Sequence, residues 1–322
     1  MFQYGAEELI ILVSTPLYIG FILFEVLLGH WHDRNWYNKK DTLNNVYLML
    51  LNSSIDLLFR GVYVIILAYC WQHRLWDMEQ NWLYWVLLVI AIDFMFYWLH
   101  RLEHGVRIFW AVHVTHHSSN HFNFTVGFRS SVFQPLYRFI FFMPLAFSGF
   151  SATDIVLMFS ASHLWGILVH TEMVGKLGWL ETIFVTPSHH RVHHASNPLY
   201  LDKNMGMFLI VWDKLFGTFQ PERTEKEYQP IKYGLTTQKD LHAPIDLVLH
   251  EWKDILTDLK RDIPWEHKVQ YILGPPGWSH DGSRLTSDQL RALENMAETN
   301  DLFSKDDDGM QVLAPVPVSA NK

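Results

Sequence analysis

The sequence predicts an all-α integral-membrane protein. We expect a bundle of three spans and a membrane-entering helical hairpin, with a cytoplasmic helical cap that carries clustered histidines. Hydrophobic residues make up 49% of the 322 residues and charged residues only 18%, below the roughly 25% that is usual in soluble domains. Residues 221–322 contain 12 Lys and Arg against 18 Asp and Glu, and so carry −6 of the net charge of −8. The first 220 residues are therefore the apolar part of the chain.

Three stretches are long and apolar enough to cross a bilayer, whose hydrocarbon core takes about 20 helical residues. They are residues 9–29, 46–71 and 82–99. Asp56 and Arg60 interrupt the second stretch. Because these two residues are four apart, they share a helix face and can pair there.

Two shorter apolar stretches follow, at residues 133–150 and 155–169. We expect them to form a hairpin that enters the membrane and returns to the same side. The run at 207–219 is too short to span the membrane, and it predicts a buried or interfacial segment.

Basic residues indicate the orientation, because cytoplasmic loops carry an excess of Lys and Arg. Such residues follow the first and third spans, at Arg34, Lys39, Lys40, Arg101, Arg107 and Arg129. We therefore expect the N-terminus outside, and the histidines and the C-terminus in the cytoplasm. The last residues carry no retrieval signal for the endoplasmic reticulum, which favours a bacterial inner membrane.

The sequence divides into a membrane-embedded domain at 1–220, a cytoplasmic helical extension at 221–298 and a disordered tail at 299–322. Apolar spacing over 244–262 predicts an amphipathic helix. The Gly-Pro-Pro-Gly run that begins at Gly274 is a helix breaker, and residues 287–297 predict a second helix. The tail is polar and acidic, which is typical of disorder.

Histidine is the unusual residue of this chain, since 12 of the 19 lie between positions 100 and 194. Three sets have helical spacing: His100 with His104; His113 with His116 and His117; His190 with His193 and His194. In a helix each set lies on one face. Imidazole is the commonest protein ligand of transition metals, and the eight histidines of these three sets suit two ions better than one. The pattern predicts a dinuclear metal site.

The choice of metal follows from what accompanies the histidines. Cys70 is the single cysteine, which excludes a cysteine-based zinc or iron–sulfur site. None of the three sets has the HExxH pattern of zinc hydrolases. Neutral imidazoles beside a membrane surface suit iron used with O2 on an unactivated C–H bond of a lipid.

The motifs HRLEH at 100–104, HVTHH at 113–117 and HRVHH at 190–194 resemble the signature of the fatty acid hydroxylase / sterol desaturase superfamily. Its members are integral-membrane di-iron enzymes that hydroxylate or desaturate lipids. Segments between 170 and 219 are similar to its alkylglycerol monooxygenase branch, and 274–278 to the tails of bacterial relatives. The resemblance implies two iron ions held by His100, His104, His113, His116, His117, His170, His190, His193 and His194.

Other polar residues are expected to support this centre. Asp93 shares a helical stripe with His100 and His104, and a carboxylate there can accept the second ring N–H of a ligand histidine. Similar candidates are Glu172, His189, Asp202 and Asn204. We expect Asn123 and Arg129 to lie along the path by which substrate approaches the metals.

The expected reaction is O2-dependent hydroxylation of a membrane lipid, whether fatty acyl, ether lipid or sterol-like. Desaturation is the alternative within the same chemistry, and a non-catalytic metal-binding transport or sensor protein is the alternative outside it. No nucleotide-binding or haem-attachment motif is present, so electrons must come from an external donor. The net negative charge argues against nucleic acid as a partner.

The donor is expected to be of ferredoxin, cytochrome or pterin type. Animal members of the alkylglycerol monooxygenase branch have a Glu directly after the second histidine of the first motif, associated with a reduced pterin. Here that position is Gly105. The nearby Glu103 and Glu172 could still serve a cofactor. The sequence therefore leaves the type of donor open.

Overall fold

A computed structural model describes residues 6–237, 243–298, 303–305 and 311–313, which form eleven α-helices and one pair of short strands. The helices are α1 (Ala6–Trp31), α2 (Lys39–Gln72), α3 (Trp82–Gly105), α4 (Arg107–His117), α5 (Phe139–Phe147), α6 (Ala152–Leu168), α7 (Pro187–His193), α8 (Val211–Phe216), α9 (Pro244–Leu259), α10 (Trp265–Leu273) and α11 (Ser287–Glu298). The strands are β1 (Phe303–Lys305) and β2 (Gln311–Leu313).

Three helices are long and apolar enough to cross a membrane: Leu12–Trp31 within α1, all of α2 and all of α3. Their apolar side chains face outward, and Leu57, Leu58 and Ile65 of α2 are each at least 70% exposed. Apolar surface gains roughly 25 cal/mol per Å² on leaving water, so lipid is the natural surrounding for these faces. The prediction of a membrane helix bundle is confirmed.

All three long helices extend beyond their predicted ends, and α2 and α3 do so by the most residues. The side chain of Asn38 accepts hydrogen bonds from the backbone N–H groups of Lys40 and Asp41, so α2 begins seven residues before the predicted apolar stretch. Helix α3 continues past Leu99 to Gly105. His100 and His104 therefore project from the same rigid helix that crosses the membrane.

Helices α5 and α6 form the predicted hairpin and pack against α2 and α3. The turn between them needs Gly149, whose φ is 107° and whose added Cβ would lie 2.6 Å from the Trp76 carbonyl oxygen. At the base of the hairpin, Arg138 pairs with Asp56, which also pairs with Arg60 as the sequence predicts. The charges inside this bundle are thus compensated.

The extension packs directly on the histidine helix α4. Arg107 is buried, and its guanidinium donates hydrogen bonds to Glu251 at 2.8 Å and Asp258 at 2.7 Å of α9. Helices α9 and α11 match the two predicted helices of the extension, whereas α10 is additional. Its nine residues end at the Gly274 breaker, and they are too few to give a clear periodicity.

The tail expected to be disordered contains the strands β1 and β2, which pair antiparallel. They are an exception to the prediction of an all-α chain. The rest of residues 299–322 lies outside the described residues, and for that part disorder stays a prediction.

Candidate metal centre

Four short stretches of chain bring the predicted histidines together. Helix α3 ends at Gly105, the chain turns at Val106, and α4 returns against α3. His170 follows the end of α6, and α7 carries the last set. The local helical spacing of each set is confirmed, and the packing of these helices makes the sets converge.

The nine side chains form two groups. The five-histidine group is His100, His104, His113, His117 and His193, and the four-histidine group is His116, His170, His190 and His194. Within each group, the potential ligand nitrogens all lie within 4.8 Å of one another. Eight of the nine residues are buried, and His116 is partly buried.

Hydrogen bonds at Nδ1 orient several of these rings. Backbone carbonyl oxygens lie opposite Nδ1 of four histidines: Met205 with His100 at 2.8 Å, Arg129 with His116 at 3.1 Å, Gly166 with His170 at 2.7 Å and Lys203 with His193 at 2.9 Å. A carbonyl oxygen can only accept, so each of these Nδ1 atoms must carry the proton. In the neutral ring Nε2 is then unprotonated and carries a free lone pair.

These lone pairs point at one another. Nε2 of His116 and Nε2 of His170 are 3.3 Å apart, although Nδ1 donates to a carbonyl in both rings. Neither nitrogen has a proton to donate, so this pair cannot be a hydrogen bond. Two lone pairs at this distance repel unless a cation lies between them.

Orphaned nitrogens in the five-histidine group lead to the same requirement. The buried Nε2 atoms of His104 and His193 have no hydrogen-bond partner within the described structure. A buried unsatisfied polar atom costs about 1–3 kcal/mol. Metal–nitrogen bonds of about 2.0–2.1 Å would use these lone pairs directly. The residues present therefore fit one metal ion in each group.

Burial keeps the imidazoles in the protonation state that metals require. It is the main cause that lowers the pKa of His116 to about 3 and holds the pKa of His170 and His193 well below the usual value, with neighbouring histidines adding to the effect. These three rings are therefore neutral near pH 7. Neutral imidazole is the ligating form.

Of the residues expected to support the centre, Asp202 lies against a predicted ligand. Its Oδ1 accepts a hydrogen bond from Nδ1 of His104 at 3.1 Å. Asn204 acts one step further away, because its amide donates to the His189 carbonyl at 3.0 Å and to the Gln220 carbonyl at 2.8 Å. This amide fixes the backbone of α7 and not a ring.

The structure places His189, Asp93 and Glu172 differently from expectation. His189 belongs to the capping box of α7, where its Nδ1 accepts from the Thr186 N–H. Asp93 accepts hydrogen bonds from the N–H groups of Phe208 and Leu209 and from the Trp212 indole. This carboxylate holds the 205–212 segment, which approaches only in the folded chain.

The hydrogen bonds of Glu172 go to the side chains of Tyr233 and Trp36. Burial is the main cause that raises the pKa of the Glu172 carboxyl above its usual value. Glu172 is therefore a partly buried contact between loops, beside His170 in sequence.

The two residues expected along the substrate path are buried in polar networks. Asn123 donates to the Trp36 carbonyl and accepts from Thr125. The Arg129 guanidinium pairs with Asp41 at 2.9 Å, while its carbonyl accepts from His116. The neighbouring Gly127, Ser130 and Ser131 line a cavity instead.

Glu103 is a residue that the expected set omits. It is fully buried, and one oxygen lies 3.2 Å from Nδ1 of His113. Its position directly before His104, in an apolar segment, was the feature of the sequence that could have indicated a role at the centre. A carboxylate inside a span is costly unless it has partners or a function.

Two cavities have the histidines in their walls. The membrane-side cavity, about 80 Å³, lies beside the hairpin between rings of both groups and apolar side chains such as Phe96, Ile167 and Met207. The extension-side cavity, about 490 Å³, lies between His104, His117, His193 and His194 and residues of the C-terminal extension. The extension lines it with charged side chains (Glu251, Asp254 and Arg284) and with apolar ones (Leu285 and Leu290).

Membrane-crossing helices around a buried pair of histidine groups define a membrane protein with a histidine-rich metal centre. Residues 85–218 match the fatty acid hydroxylase family. These residues therefore form a fatty acid hydroxylase family domain, as the histidine motifs predict.

Several curated proteins are similar to the chain. Alkylglycerol monooxygenase of Homo sapiens is 35% identical over 283 residues, which are 84% of this chain and 60% of the human protein. Ornithine lipid hydroxylase of Rhizobium tropici is 30% identical over 135 residues, 42% of this chain and 41% of that protein. Delta(7)-sterol 5(6)-desaturase of Schizosaccharomyces pombe is 27% identical over 186 residues, 52% of each.

The chain thus spans about 60% of the length of the alkylglycerol monooxygenase relative from Homo sapiens. No solved structure matches it.

Proposed function

We propose that this protein is a membrane-bound lipid monooxygenase that uses O2 and two iron ions to hydroxylate a C–H bond. The observation that carries the proposal is the convergence of nine histidines, eight of them buried, into two groups whose lone pairs face one another. The names of the relatives from Homo sapiens and Rhizobium tropici support lipid hydroxylation. A fatty acyl chain, an ether lipid or a sterol-like molecule fits the membrane setting.

The ions would be held by His100, His104, His113, His117 and His193 in one group and by His116, His170, His190 and His194 in the other. Bound there, iron would supply the activation of O2 that an unactivated C–H bond requires. The protein keeps the rings neutral and fixed through their Nδ1 hydrogen bonds. Burial of the rings also excludes water from the reacting atoms.

The lipid chain would reach the centre through the membrane-side cavity. Phe96, Ile167 and Met207 offer an apolar lining next to His100 and His170. The cavity is small, so it suits one segment of an alkyl chain and not a headgroup. This arrangement holds a selected carbon beside the histidines while the rest of the lipid stays in the bilayer.

Electrons would come from an external donor on the extension side. The extension is the more charged part of the chain, and it contributes Glu251, Asp254 and Arg284 to the wall of the larger cavity. A donor of ferredoxin, cytochrome or pterin type is compatible with this approach. The basic loops after the first and third spans support an outer N-terminus and a cytoplasmic centre. The membrane that we propose is a bacterial inner membrane.

Desaturation is the second candidate. The similarity to the sterol desaturase of Schizosaccharomyces pombe supports it. Both reactions begin with removal of a hydrogen from the lipid, and they differ in whether oxygen is inserted or a second hydrogen is removed. The geometry of the histidines serves either outcome.

Growth of expressing cells under ¹⁸O2, followed by mass spectrometry of their lipids, tests the proposal. Hydroxylation predicts a lipid product that carries ¹⁸O and is missing from cells that express His170→Ala. An unlabelled product with an added double bond would instead establish the desaturase. If the two lipid profiles are identical although both proteins are present in the membrane, the enzymatic proposal is wrong.

A further inference from the structure

The buried carboxylate of Glu103 has three kinds of neighbour. The Gln134 amide donates to it at 2.9 and 3.1 Å, and the Tyr137 hydroxyl donates at 2.5 Å. On its other side, Oε2 lies 3.2 Å from Nδ1 of His113. The Ser131 hydroxyl lies at the same distance from that nitrogen. The carboxylate is therefore held in place by two donors and directed at one histidine.

His113 occupies a central place in the five-histidine group. Its Nε2 lies 3.1 Å from Nε2 of His100 and 3.1 Å from Nε2 of His117. A carboxylate can only accept a hydrogen bond, so it favours the proton on Nδ1 and the lone pair on Nε2. The position of Glu103 thus favours the tautomer that can serve as a ligand in the middle of the group.

The two histidine groups differ in the charge around them. In the five-histidine group, Glu103 lies against His113 and Asp202 against His104. In the four-histidine group, His116 and His170 are oriented by the neutral carbonyls of Arg129 and Gly166. Among the described residues, carboxylates contact rings of the five-histidine group alone.

We propose that Glu103 is the positioning residue of His113 and that, together with Asp202, it makes the five-histidine group the tighter of two metal positions. A carboxylate that accepts from a ligand histidine increases the basicity of the coordinating nitrogen and fixes the ring. A cation bound in this buried setting favours the ionised form of both carboxyls, and their negative charge stabilises the cation in turn. The five-histidine position then fills first and empties last. This inference rests on the proposed metal centre.

A purely structural role makes a different prediction. If Glu103 only anchored α3 to the 134–137 turn, then removing any of its partners would lower stability and affect both metal positions together. Tyr137→Phe provides the matched control, because it removes a hydrogen bond to Glu103 and leaves the carboxylate against His113. Ser131→Ala tests whether the hydroxyl orients His113 without the carboxylate.

The experiment compares the full-length wild type, Glu103→Gln, Tyr137→Phe and Ser131→Ala in detergent. Each protein is loaded with Fe²⁺ without oxygen, its iron is counted, and a coloured Fe²⁺ chelator is then titrated in. We expect two irons in the wild type, released in a weak and a tight phase. Glu103→Gln should weaken the tight phase by about 10–100-fold and leave the weak phase unchanged. Tyr137→Phe should keep both phases, and Ser131→Ala should have the smaller effect on the tight one.

If Glu103→Gln does not fold, Asp202→Asn tests the same asymmetry, because the Asp202 side chain is 37% exposed and tolerates change more readily. It should weaken the tight phase alone. A wild type with two irons and an unchanged Glu103→Gln variant would overturn this inference and leave the proposed function intact. Equal weakening of both phases would also overturn it. A wild type that binds no iron would overturn the proposed function, and this inference with it.

Discussion

The two cavities reach the same histidines but differ in size, lining and surroundings. The membrane-side cavity is about 80 Å³, lies next to the hairpin and has Phe96, Ile167 and Met207 in its wall. The extension-side cavity is about 490 Å³ and has Glu251, Asp254 and Arg284 in its wall. Each cavity has rings of both histidine groups in its lining.

Under the proposed function, this difference would let one buried centre serve two reagents of opposite character. An alkyl chain gains free energy by staying among apolar side chains, whereas a polar electron donor would keep its hydrogen bonds beside the charged residues of the extension. The two cavities are lined by different histidines, so the two approaches would be separate. Residues specific to one cavity should therefore affect one reagent, and residues of the centre should affect both.

The largest effect should come from the shared centre. His170→Ala removes a ring that contacts His116, His190 and His194, and we expect a loss of lipid oxidation of at least about 100-fold, since even residues that only support a ligand cost 10–100-fold. Product formation by membranes measures the loss. His73→Ala, at an exposed histidine after α2, is the control and should keep activity. Full activity of His170→Ala would disprove a role for the four-histidine group.

A large residue in the membrane-side cavity should slow lipid oxidation without changing the use of the electron donor. Gly166 lines this cavity, and a Cβ there would meet Met207 at an ordinary 3.6 Å, so Gly166→Leu adds volume mainly inside the cavity. We expect oxidation of long alkyl chains to fall about 10–100-fold because the reacting carbon is displaced, with iron content unchanged. Gly61→Leu, where an added Cβ meets nothing within 4 Å, is the matched control. An unchanged rate for Gly166→Leu would show that the chain takes another route.

A large residue in the extension-side cavity should weaken the interaction with the electron donor. Leu290 of α11 lines this cavity, and Leu290→Trp narrows it. We expect about a tenfold higher donor concentration for half-maximal rate, while the lipid concentration dependence stays the same. Leu273→Trp, at a position 57% exposed on α10, should behave as the wild type. A change in the lipid dependence instead of the donor dependence would reverse the assignment of the two cavities.

The smallest effect concerns the free energy of unfolding, and it does not distinguish the two cavities. Burial lowers the pKa of His116 from the ordinary 6.5 to about 3, so between these values the unfolded chain binds more protons than the folded chain. The free energy of unfolding of the metal-free protein should therefore fall as the pH falls from about 6.5 towards 3, by up to about 1.4 kcal/mol per pH unit for each such histidine.

Thermal unfolding measured at several pH values tests this slope. His116→Ala should reduce the slope, because one of the depressed groups is removed. A melting temperature that rises on acidification would contradict the assignment of buried neutral imidazoles.

Local periodicity predicted the parts of the site that lie within one helix. The spacings of His113, His116 and His117 specify one face of α4 without knowledge of the fold, and the apolar runs specify the three long helices. Contacts between distant segments could not be predicted in this way. Asp93 shares a helical stripe with His100, yet its oxygens are taken by the N–H groups of residues 208 and 209, more than a hundred positions away.

Glu103 illustrates the same limit from the other direction. It is ten positions before His113, and the turn at Val106 brings the two side chains to 3.2 Å. Helical spacing alone associates Glu103 with its neighbours on α3 and not with α4. The grouping of nine histidines into five and four also depends on tertiary packing, because His116 and His117 are adjacent in sequence but belong to different groups.

The two-iron centre is tested most directly by locating iron in crystals of the loaded protein with anomalous X-ray scattering at the iron absorption edge. We expect two peaks, one among His100, His104, His113, His117 and His193 and one among His116, His170, His190 and His194. A single peak, or peaks away from these rings, would contradict this expectation.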